Sequence, residues 1–253
     1  MPPITLHMVL AREAAAGLGQ GDLVAHPGAF LLGSTSPDIR VLTRQDRGST
    51  HFFDFDEHTH QDSVAAFFRA EARFVAPERL TPATRAWAAG YIAHLVMDEM
   101  YIEDIYRRFF TPHAALGGQM RANVMDRLLQ FELDRVYGND RELKLSLSEA
   151  LSCTVENIEI AGFIEYETLE RWRQVSFEVA NRTMDWERMR SMVSNHLRFS
   201  GLEEGETLSS FLDSLPELLD ATIAHVTNAE VDGYVQRATA AATKAIARYL
   251  ECG

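Results

Sequence analysis

A chain of 253 residues can bury one sizeable core, and 46% hydrophobic with 24% charged residues is the balance of a globular protein, not a disordered or membrane-embedded one. The net charge of −13, with no Lys/Arg-rich run, disfavours a nucleic acid partner and an anionic membrane surface. It still permits a small anionic substrate held by metal ions, because bound cations invert the local field. Only Cys153 and Cys252 occur, the second beside the C-terminus, which points to a reducing compartment. The stretch Met1 to Gly19 has no basic leading region, and His7 interrupts its apolar run, so no signal peptide is expected. No window of about 18 residues is uninterruptedly apolar, so no membrane span is expected and the default location is cytoplasmic.

In chain order, a first helix is expected from Thr5 as cap to about Gly17, where Gly17-x-Gly19-x-Gly21 ends it, with His7 in its first turn. Pro27 opens a short apolar helical turn that Gly33-Ser34-Thr35-Ser36-Pro37-Asp38 breaks, which places Asp38 on a loop leaving a buried segment. From 39 to 57 the pattern is irregular, with His51-Phe52-Phe53-Asp54-Phe55 as aromatics in a loop. Helix resumes from about Gln61 to Phe74, and Asp56 is the expected cap of a polar helix start holding His58 and His60. Thr81-Pro82 starts the longest helix, to about Phe110. Helical periodicity continues over 119–137, 148–182 with interruptions, 185–199, 207–226 and 229–250, and no strand-like alternation competes with it. The expectation is an all-α, multi-helix bundle forming one domain over 1–253. Residues 1–138 carry the chemistry, and 139–253 form a helical half that shapes a cavity or a self-association surface, with Tyr166, Trp172, Phe177, Trp186 and Phe199 as core or pocket material.

The chemistry centres on the long helix. At about 100° per residue, Trp87, Tyr91, His94, Asp98, Tyr101 and Ile105 share one stripe. A His and an Asp four residues apart emerge one above the other and can close on one metal ion; by itself such a pair is equally a sheltered His–Asp hydrogen bond. Its company singles it out: His7 near the start, Asp38 after Leu32-Gly33-Ser34-x-x-Pro37, and His51-Phe52 after a loop.

These segments, with Ala89-Gly90-Tyr91-Ile92-Ala93-His94-Leu95-Val96-Met97-Asp98, resemble the zinc-dependent phospholipase C family, whose members share a helical fold, hold a multinuclear zinc cluster and hydrolyse phosphoesters. The resemblance implies that Asp38, His51, His94 and Asp98 surround one metal, and that Asp98 bridges to a second ion also bound by His7. Zinc, in two ions, suits three imidazoles and two carboxylates; iron or manganese tolerates the same set. Asp38 and Asp98 are then the catalytic candidates, with a metal-bridging hydroxide attacking a small or lipid-like phosphoester and Asp38 accepting the proton. Where secreted relatives use a processed amino end as ligand, this chain starts Met1-Pro2-Pro3. Where the third metal of such clusters is held by a His soon after the bridging Asp and a later H-x-x-x-E, it has Tyr101 to Asp104 and Asn123-Val124-Met125-Asp126. That third site is expected to be lost, or rebuilt from Glu99, Asp104, Asp126, Glu132, Asp134, His58 or His60, each of which has an ordinary reading as a solvated or ion-paired group.

Three readings stay open: a metal-dependent phosphoester hydrolase, a metal-dependent biosynthetic enzyme with ester, amide or redox chemistry on the same scaffold, and a non-enzymatic helical protein with a structural metal. A dinucleotide site is excluded because the Gly-x-Gly-x-Gly run follows a helix; no G-x-S-x-G elbow or P-loop occurs.

Overall fold

The computed structural model describes residues 2–19, 21–183, 185–199 and 206–251; of 196, 198, 199 and 206–208 only the backbone is described. The described residues form helices, turns and irregular segments with no strand, so the all-α expectation holds. The α-helices run in order as α1 (Ile4–Ala16), α2 (Gly21–Ala25), α3 (Pro27–Gly33), α4 (Arg40–Thr43), α5 (Gly48–His51), α6 (Ser63–Ala70), α7 (Pro82–Tyr101), α8 (Gln119–Gly138), α9 (Arg141–Leu151), α10 (Tyr166–Asn181), α11 (Trp186–Phe199), α12 (Glu206–Asp213), α13 (Leu215–Val226) and α14 (Asn228–Glu251).

α7 is the axis. Thr81 caps it by accepting from the Thr84 amide, Pro82 supplies its first turn, and Trp87, Tyr91, His94, Asp98 and Tyr101 on the expected stripe are all buried. The regular α-ladder stops at Tyr101, and Ile102–Phe110 continues as a π-helix. One α-helix to Phe110 is therefore corrected: the wider turn re-aims every side chain after Tyr101.

Two glycines set how closely α3 lies against α7. A Cβ on Gly33 would collide with the Trp87 carbonyl oxygen, and one on Gly90 with the Phe30 carbonyl oxygen, so the two backbones touch where each helix lacks a side chain. The turn after α3 is pinned from its own side chains: Ser34 Oγ donates to Leu31 O at 2.8 Å and Ser36 Oγ to Leu32 O at 2.7 Å. Two buried indoles fasten it further, Trp87 Nε1 donating to Ser36 Oγ and Trp172 Nε1 to Thr35 Oγ1, both at 3.1 Å. Trp172 lies on α10, so the C-terminal half helps to hold the segment that carries Asp38.

Several boundaries differ from expectation. Pro3, not Thr5, is the N-cap of α1, and Thr5 lies buried inside the helix. Asp38 sits on a 3-10 turn, Ser36–Ile39, rather than an open loop. Asp62, not Asp56, caps α6 by accepting from the Ala65 amide, which leaves His58 and His60 in an irregular exposed stretch. Residues 152–165 interrupt the expected 148–182 helix, while α9 starts earlier, at Arg141, where Asp140 caps it. Trp172 is fully buried and Phe177 packs on the core, but Tyr166 (51%) and Trp186 (40%) are exposed, because each stands in the first turn of its helix, beyond the packed face. The side chain of Phe199 lies outside the described residues, as do Met1, the side chain of His196, and Cys252; Cys153 is a free, partly buried thiol. No described helix is long and apolar enough to cross a membrane.

Candidate metal centre

Four elements converge on one buried spot. α1 delivers His7, the 3-10 turn after α3 delivers Asp38, α5 delivers His51, and α7 delivers His94 and Asp98. Their exposures are 0%, 7%, 1%, 0% and 2%. Two ligand-spaced groups arise, His7–His94–Asp98 and Asp38–His51–His94, whose donor atoms in each group lie within 4.8 Å of one another. The His7 and His94 rings stack with centroids 3.7 Å apart, and His51 meets His94 edge-on at 5.2 Å.

Two of the three imidazoles are oriented by a partner on the far side of the ring. His94 Nδ1 lies 2.8 Å from the Ser34 carbonyl oxygen, so it carries the proton and donates, leaving the Nε2 lone pair directed into the cluster. His51 Nδ1 lies 2.9 Å from Thr50 Oγ1, whose own proton goes to the Arg47 carbonyl, and the same assignment leaves His51 Nε2 facing Asp38 at 3.5 Å. His94 Nε2, His51 Nε2, both ring nitrogens of His7 and Asp98 Oδ1 are buried without a hydrogen-bond partner. Orphaned buried polar atoms are costly, and their gathering on residues at ligand spacing is what donors suited to a cation look like. The donor set fits a transition metal of the zinc class.

The electrostatics agree. Burial, with the neighbouring His94, pushes the His7 ring well below the ordinary histidine value. Burial lowers His94 to about 4 against the pull of Asp38, so both rings are neutral near pH 7, the form that ligates. Burial alone would raise the two carboxyls. For Asp38 the neighbouring imidazoles, His51 foremost, outweigh it and hold the group well below the carboxylate range. For Asp98 the Arg47 guanidinium, which bonds Oδ2, leads the opposing causes and brings it to about 2. Arg47 was not singled out in the sequence; its place four residues before His51, one helical turn away, was the available signal.

The replacement ligands do not gather here. Asp104 pairs with Arg237 and Glu132 with Arg135. Asp126 accepts from Tyr101 Oη at 2.7 Å and Gln130 Nε2 at 2.6 Å. Asp134 is buried apart from the cluster, near Thr5 and Leu6. Only Glu99 and His60 meet at ligand spacing, with Glu103, in a partly exposed group where Glu99 already accepts from the amide and hydroxyl of Ser63. His58 joins no ligand-spaced group among the described residues.

Residues 6–99 match the sequence model of the family described as zinc dependent phospholipase C. The match covers the N-terminal region from α1 to nearly the end of α7, and all five clustered residues fall within it. Comparison with curated proteins and with solved structures gave no match.

Proposed function

We propose that the chain is a metal-dependent hydrolase of phosphoesters, with His7, Asp38, His51, His94 and Asp98 as its metal ligands. The observation that supports it is the convergence of five buried side chains from four elements, four of them with unpartnered donor atoms, inside the segment that matches the zinc dependent phospholipase C family. Zinc is the favoured ion, and iron or manganese accepts the same donors. Such an ion supplies Lewis acidity toward a phosphoryl oxygen and acidifies bound water.

The chain's own groups do the rest. Ser34 O and Thr50 Oγ1 hold His94 and His51 in the tautomer that presents Nε2. Asp38 is the most exposed of the five, so its carboxylate is the one placed to accept the hydrogen bond of an entering water and orient it. Asp98 stays ionised because Arg47 balances it.

A second reading rests on burial. Four of the five residues are exposed by 2% or less, and a closed shell is what a structural ion occupies. Metal analysis of the purified chain, coupled to hydrolysis assays on p-nitrophenyl phosphodiesters, phosphatidylcholine vesicles and single-stranded DNA, separates the two. Bound zinc with cleavage that disappears in His94→Ala and Asp98→Ala carries the hydrolase. Bound zinc with no cleavage leaves the structural ion, and a folded chain that binds no metal under replete conditions sinks both.

A further inference from the structure

Asp98 is engaged on one side only. Its Oδ2 accepts from the Arg47 guanidinium, while Oδ1 is buried and without a hydrogen-bond partner, in the carboxylate that shares ligand spacing with His7 and His94. Arg47 comes from the same turn as His51: the His51 amide donates to the Arg47 carbonyl at 2.8 Å, so ligand and guanidinium are placed together. That turn is bracketed by two residues in the left-handed region, Arg44 (φ 61°) and Phe52 (φ 54°), which fold it back over α7.

We propose that Arg47 stands in for a second metal ion: the centre holds a single divalent ion, and Asp98 binds it through one oxygen instead of bridging two. The inference rests on the metal reading above. Two observations carry it. First, the two ligand-spaced groups both depend on His94, whose Nδ1 is spent on Ser34, so only Nε2 is left. One nitrogen lone pair serves one ion, so a second ion would be left with His7 and Asp98 alone, and while Arg47 occupies Oδ2 Asp98 offers it a single oxygen. Second, the charges close around one ion. Asp38 and Asp98 contribute two negative charges, the imidazoles ligate as neutral rings, and a guanidinium with one dication leaves a single positive charge for a hydroxide or a phosphate oxygen to cancel. A second dication beside Arg47 would leave three, in a cluster no more than 7% exposed, where uncompensated charge is strongly disfavoured. An arginine keeps its charge at any pH the protein meets, so the substitution is permanent.

The test is a zinc count after saturation and desalting, on wild type, Arg47→Met and Arg47→Lys, with anomalous diffraction to place the ion. One equivalent is expected in wild type and in Arg47→Lys, and two in Arg47→Met, where Asp98 is released to bridge. Two equivalents in wild type, or one in folded Arg47→Met, overturns the proposal while leaving the metal reading intact. No zinc in folded wild type overturns both. Should Arg47→Met not fold, a cobalt-substituted wild type decides: an uncoupled single-ion spectrum is expected, and a spin-coupled pair refutes it.

Discussion

Two sets of buried acids lie within this bundle and meet opposite fates. On α8, Asp126 has both oxygens occupied by Tyr101 and Gln130, and Asp134, with one oxygen unpartnered and few cations nearby, is pushed up by burial to about 7. In the cluster on α7, Asp98 is equally buried yet held at about 2, and it keeps an oxygen without a partner among neutral imidazoles. A lone buried acid solves its desolvation by taking a proton; an acid among imidazoles and a guanidinium stays ionised and keeps its lone pairs. Convergence of unpartnered donors, rather than buried acidity, separates the proposed metal centre from an ordinary core acid.

That contrast can be broken first through the packing that creates it. Gly90→Val places two methyls against the Phe30 carbonyl and drives α3 from α7, carrying the Ser34 carbonyl and Asp38 away from His94. A loss of more than about 4 kcal/mol, in effect no soluble folded chain, is expected from circular-dichroism melts, as for other severe overpacking. A near-wild-type melt would show that the close helix contact is dispensable.

A milder change tests the orientation of one ligand. Thr50→Val removes the hydroxyl that accepts from His51 Nδ1, and zinc affinity measured by competition with a chelator should fall about 10–100-fold with little change in fold. Unchanged affinity would mean that His51 is oriented by packing alone.

The smallest effect sharpens the other side of the comparison. The folded-state value of Asp134 is raised from 3.8 to about 7, so the folded state holds a proton that the unfolded state has lost. Its contribution is fully present below about pH 4 and is lost as pH rises through about 7. Asp134→Asn should therefore gain about 2 kcal/mol in urea unfolding at about pH 5.5, match wild type near pH 3, and leave zinc content unchanged. A loss of zinc would put Asp134 in the metal centre after all.

The sequence by itself determined the helical class, the cap at Thr81-Pro82 and the stripe Trp87-Tyr91-His94-Asp98-Tyr101, because periodicity and turn chemistry are local and a helix fixes which residues share a face; His7, Asp38 and His51 were named as its companions through the family resemblance. Only the tertiary structure decided where those side chains lie and what partners them. Whether an acid such as Asp126 or Asp134 is spent on a tyrosine or on a proton depends on partners 25 residues away or on other helices, which spacing does not encode. Arg47 escaped for the same reason: its meaning lies in a contact with Asp98, 51 residues further along, made when the turn bracketed by Arg44 and Phe52 folds over α7. The π-helix after Tyr101 was likewise illegible, since Ile102 to Phe110 carries helix-forming side chains that suit either winding, and the choice is made by what packs against it.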